Sequence, residues 1–183
     1  MLFTGKGDDG TTGTFGCDQR ISKSSSIAEA LGSLDEVNSF LGLCKVLGKE
    51  SGFKISGNSF ESLVHTIQGN LFIIQAELAG ADKTIGEEKV RDVEEIVNAI
   101  EKELPPISTF FISGGTELAA RFDVARTFAR RAERRVIGVT EEGSQEVGKW
   151  TLAYLNRLSS LLYALARLSN HFSGIVDESP SYT

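Results

Sequence analysis

The chain has 183 residues, the length of one ordinary domain, and can bury roughly 70% of the surface its unfolded form exposes, enough for an unaided core. Nineteen Lys and Arg stand against 25 Asp and Glu, a net charge of −6 that argues against a general nucleic-acid binder. With 40% hydrophobic and 24% charged residues the composition is neither that of a disordered chain nor that of a collagen, and no apolar run reaches the length of a membrane span.

The start shows no basic stretch leading into a hydrophobic one, so no secretory signal is expected. Cys17 and Cys44 form neither a CxxC pair nor a disulfide framework, and a reducing, cytoplasmic setting is the expectation. His65 and His171 stand apart without a second ligand at zinc spacing, so no protein-bound metal is expected.

Taken in chain order, residues 1–25 read as a loop, with Gly5, Gly7, Gly10, Gly13 and Gly16 interleaved with Thr4, Thr11, Thr12, Thr14, Asp8 and Asp9. Apolar residues then recur at steps of three and four, the period of a helix with one buried face. Ile27, Leu31, Leu34, Asn38 and Leu41 mark a first helix, with only Asn38 breaking the stripe. Residues 51–58 read as a connection, and Phe60, Val64, Ile67, Leu71, Ile74 and Leu78 mark a second helix. Residues 80–88 read as another connection before Val90, Val93, Val97, Ile100 and Leu104, a third helix stopped by Pro105-Pro106. Leu118, Phe122, Ala125, Ala129, Ala132 and Val136 mark a fourth, and Tyr154, Leu158, Leu161, Leu165 and Leu168 a fifth. The pattern predicts an all-α, five-helix up-down bundle in one domain: residues 1–25 a glycine-rich loop, 26–172 the bundle, and 173–183 an aperiodic, frayed tail.

Four places carry chemistry. Glycines in the N-terminal loop let backbone N–H groups converge on phosphate oxygens, with Lys6 and Lys23 adding charge; a merely turn-rich terminus reads the same way, and there is no Walker A sequence. Arg126, Arg130 and Arg134 step by four along one face of the fourth helix, which makes either an anion site or a solvated face balanced by acids such as Glu133. Asn156 and Arg157 interrupt a leucine-rich helix, where an Asn signals a hydrogen-bonding task or a structural tie to a loop. Asp35 sits beside an apolar stripe and needs a cationic partner if buried.

Together, Thr4-Gly5-Lys6-Gly7-Asp8-Asp9-Gly10-Thr11-Thr12, Leu34-Asp35-Glu36-Val37-Asn38, Arg130-Arg131-Ala132-Glu133-Arg134-Arg135-Val136 and Leu155-Asn156-Arg157-Leu158-Ser159 resemble, in order and spacing, the PduO-type ATP:cob(I)alamin adenosyltransferases. The resemblance runs from about Thr4 to Asn170. It implies a cobalamin adenosyltransferase-like (ferritin-like) bundle that moves the 5′-deoxyadenosyl group of ATP to cob(I)alamin and releases triphosphate. It also implies a homotrimer with an ATP site at each interface, in which Thr4, Gly5, Lys6, Gly7, Thr12 and Lys23 cradle the triphosphate while Arg130, Arg131, Glu133, Arg134 and Asn156 complete the nucleotide site. By the same resemblance Arg126 pairs with Asp35 across the interface, and Phe110, with Phe111 as the close alternative, takes the lower face of the cobalt. Arg130, Phe110, Asp35 and Arg126 are thus the expected catalytic set. ATP as cosubstrate, Mg²⁺ with the nucleotide and cobalamin as substrate complete the implied chemistry. A flavin reductase and an adenosylcobalamin-dependent enzyme are the implied partners, with no role for nucleic acid or membrane.

The chain departs from the family pattern at Gly5, where a basic residue is usual, at Ser24-Ser25, at Ser160 and at Ser113, which stands at a common Pro and is expected to loosen the loop carrying Phe110. Rival readings are a non-catalytic helical nucleotide-binding or interaction module, which leaves the Gly/Thr/Asp loop unexplained, and a phosphate-hydrolysing enzyme, which lacks an evident water-positioning base. A di-iron bundle needs Glu-x-x-His motifs, and neither His65 nor His171 follows a Glu at that spacing.

Overall fold

A computed structural model of the chain describes residues 2–14, 20–107 and 109–182. Five helices form where the apolar stripes predict them: α1 (Ser26–Ser51), α2 (Phe60–Leu78), α3 (Glu87–Glu103), α4 (Glu117–Glu141) and α5 (Lys149–Phe172). Ser25, Ser59 and Thr116 cap α1, α2 and α4, their hydroxyls accepting from the N–H of Ala28, Ser62 and Ala119. α4 lies between α1 and α5, with α2 flanking α1 and α3 flanking α5. Leu34, Leu41, Phe60, Leu71, Phe122, Leu158 and Leu165 are fully buried between them. Each such side chain contributes roughly 1.5–3 kcal/mol when removed from water.

The polar interruptions of the stripes are satisfied inside the core. Asn38 donates to the carbonyl of Gln68, whose side-chain amide donates back to the Asn38 carbonyl at 3.0 Å. Asn70 of α2 donates to the Tyr154 hydroxyl of α5 at 3.1 Å, a bond that ties opposite walls of the bundle. Glu77, at the end of α2, is buried and accepts from the backbone N–H of Gly148 (2.8 Å) and the hydroxyls of Thr84 (3.0 Å) and Thr151 (2.5 Å). It therefore caps α5, which has no side-chain cap of its own at Gly148. A Cβ at residue 148 would fall 2.9 Å from the Thr84 hydroxyl and 3.0 Å from the Glu77 carboxylate, so any side chain there would push this cap aside.

Three expectations are corrected. The 51–58 connection contains a hairpin, β3 (Lys54–Ile55) against β4 (Asn58–Ser59), because Ser56 and Gly57 both take the positive φ that a two-residue turn requires. The N-terminal loop contains a second hairpin, β1 (Thr11–Gly13) paired antiparallel with β2 (Arg20–Ser22); Gly16 and Cys17 lie outside the described residues. The tail is docked, not frayed: Asp177 pairs with Arg167 of α5 at 2.9 Å, and the Glu178 carbonyl accepts from the N–H of Ile112 at 2.8 Å.

Candidate functional site

Each of the four sequence features has a definite place on this frame. In the N-terminal segment, tight turns close through Asp8 N–H to the Gly5 carbonyl and Gly10 N–H to the Gly7 carbonyl, both at 3.2 Å. Lys23 follows β2 directly and donates its ammonium to the Gly7 carbonyl at 2.8 Å, so Lys23 and the Gly5–Gly7 turn are brought together. Thr4, Gly5 and Lys6 are exposed, and Thr12 is half-buried opposite Ile21 in the β1–β2 pair. Arg20, which the sequence did not single out, organises the segment by donating to the carbonyls of Lys6 and Thr11 and to the Thr11 hydroxyl. Thr11 in turn donates through its hydroxyl and its N–H to Asp9, and these bonds, with Arg20 nearby, hold the Asp9 carboxyl below its ordinary range. Among the described residues, the hydrogen bonds and ion pairs of residues 4–14 and 20–24 all close within this segment.

The basic face of α4 divides into two classes. Arg131 is neutralised by Glu36 of α1 and lies 4.9 Å over the Phe128 ring, and Arg135 approaches Glu29 of α1 at 4.0 Å. Arg130 and Arg134 are exposed and make no hydrogen bond or ion pair among the described residues. Arg126 is half-buried, with its Nε 4.0 Å from Asp123 and its guanidinium 6.0 Å over the Tyr163 ring; that Nε is buried without a hydrogen-bond partner among the described residues. Glu133 accepts from the amide of Asn156 at 3.0 Å, and Arg157 donates to the Asn156 carbonyl oxygen at 2.8 Å while pairing with Glu94 of α3. The amide of Asn156 is thereby fixed in orientation by two charged neighbours.

Between the loop that precedes α4 and the α4–α5 seam lies a cleft of about 290 Å³ that brings together Phe110, Arg126 and Arg130 with Asp123, Ser159 and Tyr163. Phe110 is 78% exposed at its mouth, whereas Phe111 is turned under the loop with its ring 4.8 Å from the Arg167 guanidinium. The loop itself is held firmly. Gly114 donates its N–H to Asp123 at 3.1 Å, and Asn170 of α5 donates to the Gly114 carbonyl (2.9 Å) while accepting from the Thr116 N–H (2.9 Å). Gly115 has φ 94°, and a Cβ there would lie 2.4 Å from the Asn170 side chain, so glycine is needed both for the backbone and for the approach. On either side of Ser113 the backbone is bonded, Ile112 N–H to the Glu178 carbonyl and Gly114 N–H to the Asp123 carboxylate, which opposes the looseness expected there. Burial pushes the Asp123 carboxyl above its ordinary value, against the Gly114 N–H and Arg126, which pull it down.

Asp35 lies on α1 where that helix borders α2. It is exposed, makes no ion pair among the described residues, and lines two adjoining clefts of about 490 and 400 Å³ together with Phe72, which is 63% exposed. Arg126 and Asp35 are not paired within one chain. Asp123, Tyr163, Arg167 and Asn170 were missed from the sequence, although a charged Arg167 inside Leu-Leu-Tyr-Ala-Leu-Ala-Arg-Leu is a readable signal of a buried polar task.

Residues 2–169 match the family model described as cobalamin adenosyltransferase. A corrinoid adenosyltransferase of Bacillus subtilis is 38% identical over 181 residues, covering 96% of this chain and 90% of that protein. The corrinoid adenosyltransferase PduO of Citrobacter freundii is 37% identical over 177 residues; 93% of this chain is covered, and the chain spans half the length of that relative. Among solved structures, a variant of the PduO-type ATP:corrinoid adenosyltransferase from Lactobacillus reuteri complexed with cobalamin and ATP superposes with a TM-score of 0.88 at 28% identity, covering 100% of this chain and 97% of that one. Another variant of that enzyme, complexed with ATP, gives a TM-score of 0.87 at 28% identity, covering 98% of this chain and 100% of that one. Matched over nearly all of its residues by the family model and by relatives of its own length, the chain belongs to the cobalamin adenosyltransferase family.

Proposed function

We propose that this chain is an ATP:cob(I)alamin adenosyltransferase. The observation that carries the reading is the cleft in which an exposed aromatic, Phe110, faces the same space as Arg126 and the uncommitted Arg130. An apolar ring beside a cation-lined wall suits a reaction between a planar corrinoid and a polyanionic nucleotide. Cobalt(I) is the nucleophile: a cobalt–carbon bond forms at the 5′ carbon of ATP, the bond from that carbon to the triphosphate oxygen breaks, and triphosphate leaves with the electron pair. The substrate supplies the reactive centre, so the chain's task is to orient and to stabilise.

Arg130 and Arg134, which pair with no other side chain among the described residues, hold the charge that gathers on the leaving triphosphate, and Lys6 in the Gly5–Gly7 turn and Lys23 bonded to that turn meet it. Thr4, Gly5, Gly7 and Thr12 shape that cradle, while Arg131, Glu133 and Asn156 form its second wall on α4 and α5. Phe110 takes the lower face of the corrinoid, excluding water and the lower axial base so that cobalt(II) becomes four-coordinate and easier to reduce. Phe111 is committed to Arg167, which favours Phe110 for this role. Mg²⁺ comes with the nucleotide, where it neutralises phosphate charge.

Among the described residues the N-terminal segment closes its bonds within itself and Asp35 has no ion-pair partner beside an exposed Phe72, features that favour a homotrimer in which Asp35 of one chain meets Arg126 of the next. The whole chain then acts as one catalytic domain, residues 1–25 serving the nucleotide, 26–172 forming the bundle and 173–183 bracing it. No helix among the described residues is long and apolar enough to cross a membrane. The site of action in this reading is the cytoplasm. The electron for cobalt(II) comes from a flavin reductase, and the product passes to an adenosylcobalamin-dependent enzyme. Incubation with ATP, Mg²⁺ and chemically reduced cobalamin tests the reading: equal amounts of adenosylcobalamin and triphosphate are expected, and release of orthophosphate without corrinoid alkylation would refute it.

A further inference from the structure

Residues 109–116 and the segment after α5 are joined by a buried polar cluster that none of the assigned roles uses. Asp177 is its centre. One carboxylate oxygen accepts from Arg167 Nε at 2.9 Å and the other from Asn170 Nδ2 at 3.3 Å. The Arg167 and Asp177 side chains are only 8% and 17% exposed, so this is a desolvated pair and not a surface contact. Arg167 also donates to the Pro105 carbonyl at 3.3 Å and lies against the Phe111 ring, while Asn170 holds the backbone at Gly114 and Thr116. Next along the tail, the Glu178 carbonyl accepts from the Ile112 N–H. The loop is therefore gripped at Phe111, Ile112, Gly114 and Thr116, and three of those grips run through Asp177 or its two partners. Phe110, one residue before the first grip, is 78% exposed, more than any other apolar side chain of the loop.

We propose that Asp177 is a positioning residue for the adenosyl transfer: acting through Arg167 and Asn170, it fixes the loop and so sets where Phe110 stands against the lower face of the corrinoid. The inference rests on the adenosyltransferase reading. An aromatic that must displace an axial ligand has to be held close to one position, since an unbraced ring rotates away and lets the ligand return. Cobalt(I) needs no such displacement, so the two starting oxidation states separate positioning from general damage.

Asp177→Asn keeps the shape and removes the charge; the double variant Asp177→Asn with Arg167→Gln removes both charges and leaves no orphaned buried cation. For both variants, turnover starting from cob(II)alamin with a reductase is expected to fall about tenfold, while turnover of pre-reduced cob(I)alamin stays within about twofold. The four-coordinate cobalt(II) signal in magnetic circular dichroism should shrink in step. Independently of any reaction, chymotrypsin should cut at Phe110–Phe111 faster in the variants than in the parent at equal Tm. A parent-like four-coordinate signal and parent-like cleavage would overturn the inference, as would equal losses from both oxidation states accompanied by a fall in Tm in the double variant. If the parent chain fails to alkylate cob(I)alamin, the adenosyltransferase reading falls and the inference with it, and the proteolysis result then reports only on the loop's anchorage.

Discussion

The two ends of the candidate site are built on opposite plans. The loop carrying Phe110 is finished within the chain, its backbone held by Asp123, Asn170 and Glu178 and its underside by the buried Arg167–Asp177 pair. Among the described residues the N-terminal segment is held from within, by its turns, the β1–β2 pair, Arg20 and Lys23, and Arg130 and Arg134, the cations proposed to meet it across the nucleotide, have no hydrogen-bond or ion-pair partner. On the proposed function, the planar, rigid corrinoid would meet a wall already built within the chain, whereas the flexible triphosphate would meet one built from a self-contained segment. If the proposed roles hold, the contrast teaches that pre-organisation is placed where a ligand must be expelled from the metal, and not where charge alone must be gathered.

The sharpest test of the charged side is Arg130→Ala. Turnover should fall by about 10²–10³-fold, the usual cost of one positioned electrostatic donor, with the circular-dichroism spectrum and Tm unchanged. Survival of most of the activity would mean that the triphosphate is held elsewhere. Next in size is Asp35→Ala, which should lower both the trimer mass seen by light scattering and the turnover, by about tenfold or more if the pair with Arg126 is desolvated at an interface. A trimer indifferent to this change would remove Asp35 from the interface.

On the preformed side, Phe110→Ala should reduce the cob(II)alamin route about tenfold while sparing pre-reduced cob(I)alamin; equal losses would dissolve the contrast between the two walls. Arg20→Ala should raise the KM for ATP severalfold with little change in kcat, because it loosens the Lys6 and Thr11 carbonyls and leaves every cation of α4 in place. The smallest effect is a pH dependence. Asp123 has a folded-state pKa raised above the ordinary 3.8 by burial, so the native chain takes up this proton before the unfolded one does. As pH falls through that window, the Tm of the parent should therefore gain on that of Asp123→Asn, and a difference that is flat with pH would show that the carboxyl is not desolvated.

The helices were legible because each buries one face, and a stripe at steps of three and four is what such burial leaves in a sequence. Even Asn38, which broke the first stripe, proved to be a core position, its amide satisfied by the Gln68 backbone. Of the residues expected at the site, Phe110, Arg126 and Arg130 share one cleft. What could not be read was the sorting within that set. Arg131 and Arg135 differ from Arg130 and Arg134 only in facing Glu36 and Glu29, about a hundred residues away along the chain. The tail was misread for a related reason: Asp177 lies in an aperiodic stretch, and its anchorage depends on Arg167 and Asn170 pointing out of a helix whose period says only that it is buried. Likewise a two-residue turn at Ser56-Gly57 leaves too short a strand on either side for alternation to register.

The Glu77 cap on α5 has a practical consequence for anyone who needs to modify the molecule. Because Thr84 bonds to Glu77, and Ile85 is buried with its N–H on the Thr151 hydroxyl, the connection into α3 is stapled to the start of α5 at those two residues. Asp82 and Lys83, just before them, are exposed and carry no part of the staple. A fluorophore or short peptide tag placed there would ride on a fixed point of the bundle, with the helix that bears Asn156 and Arg167 kept in register beneath it.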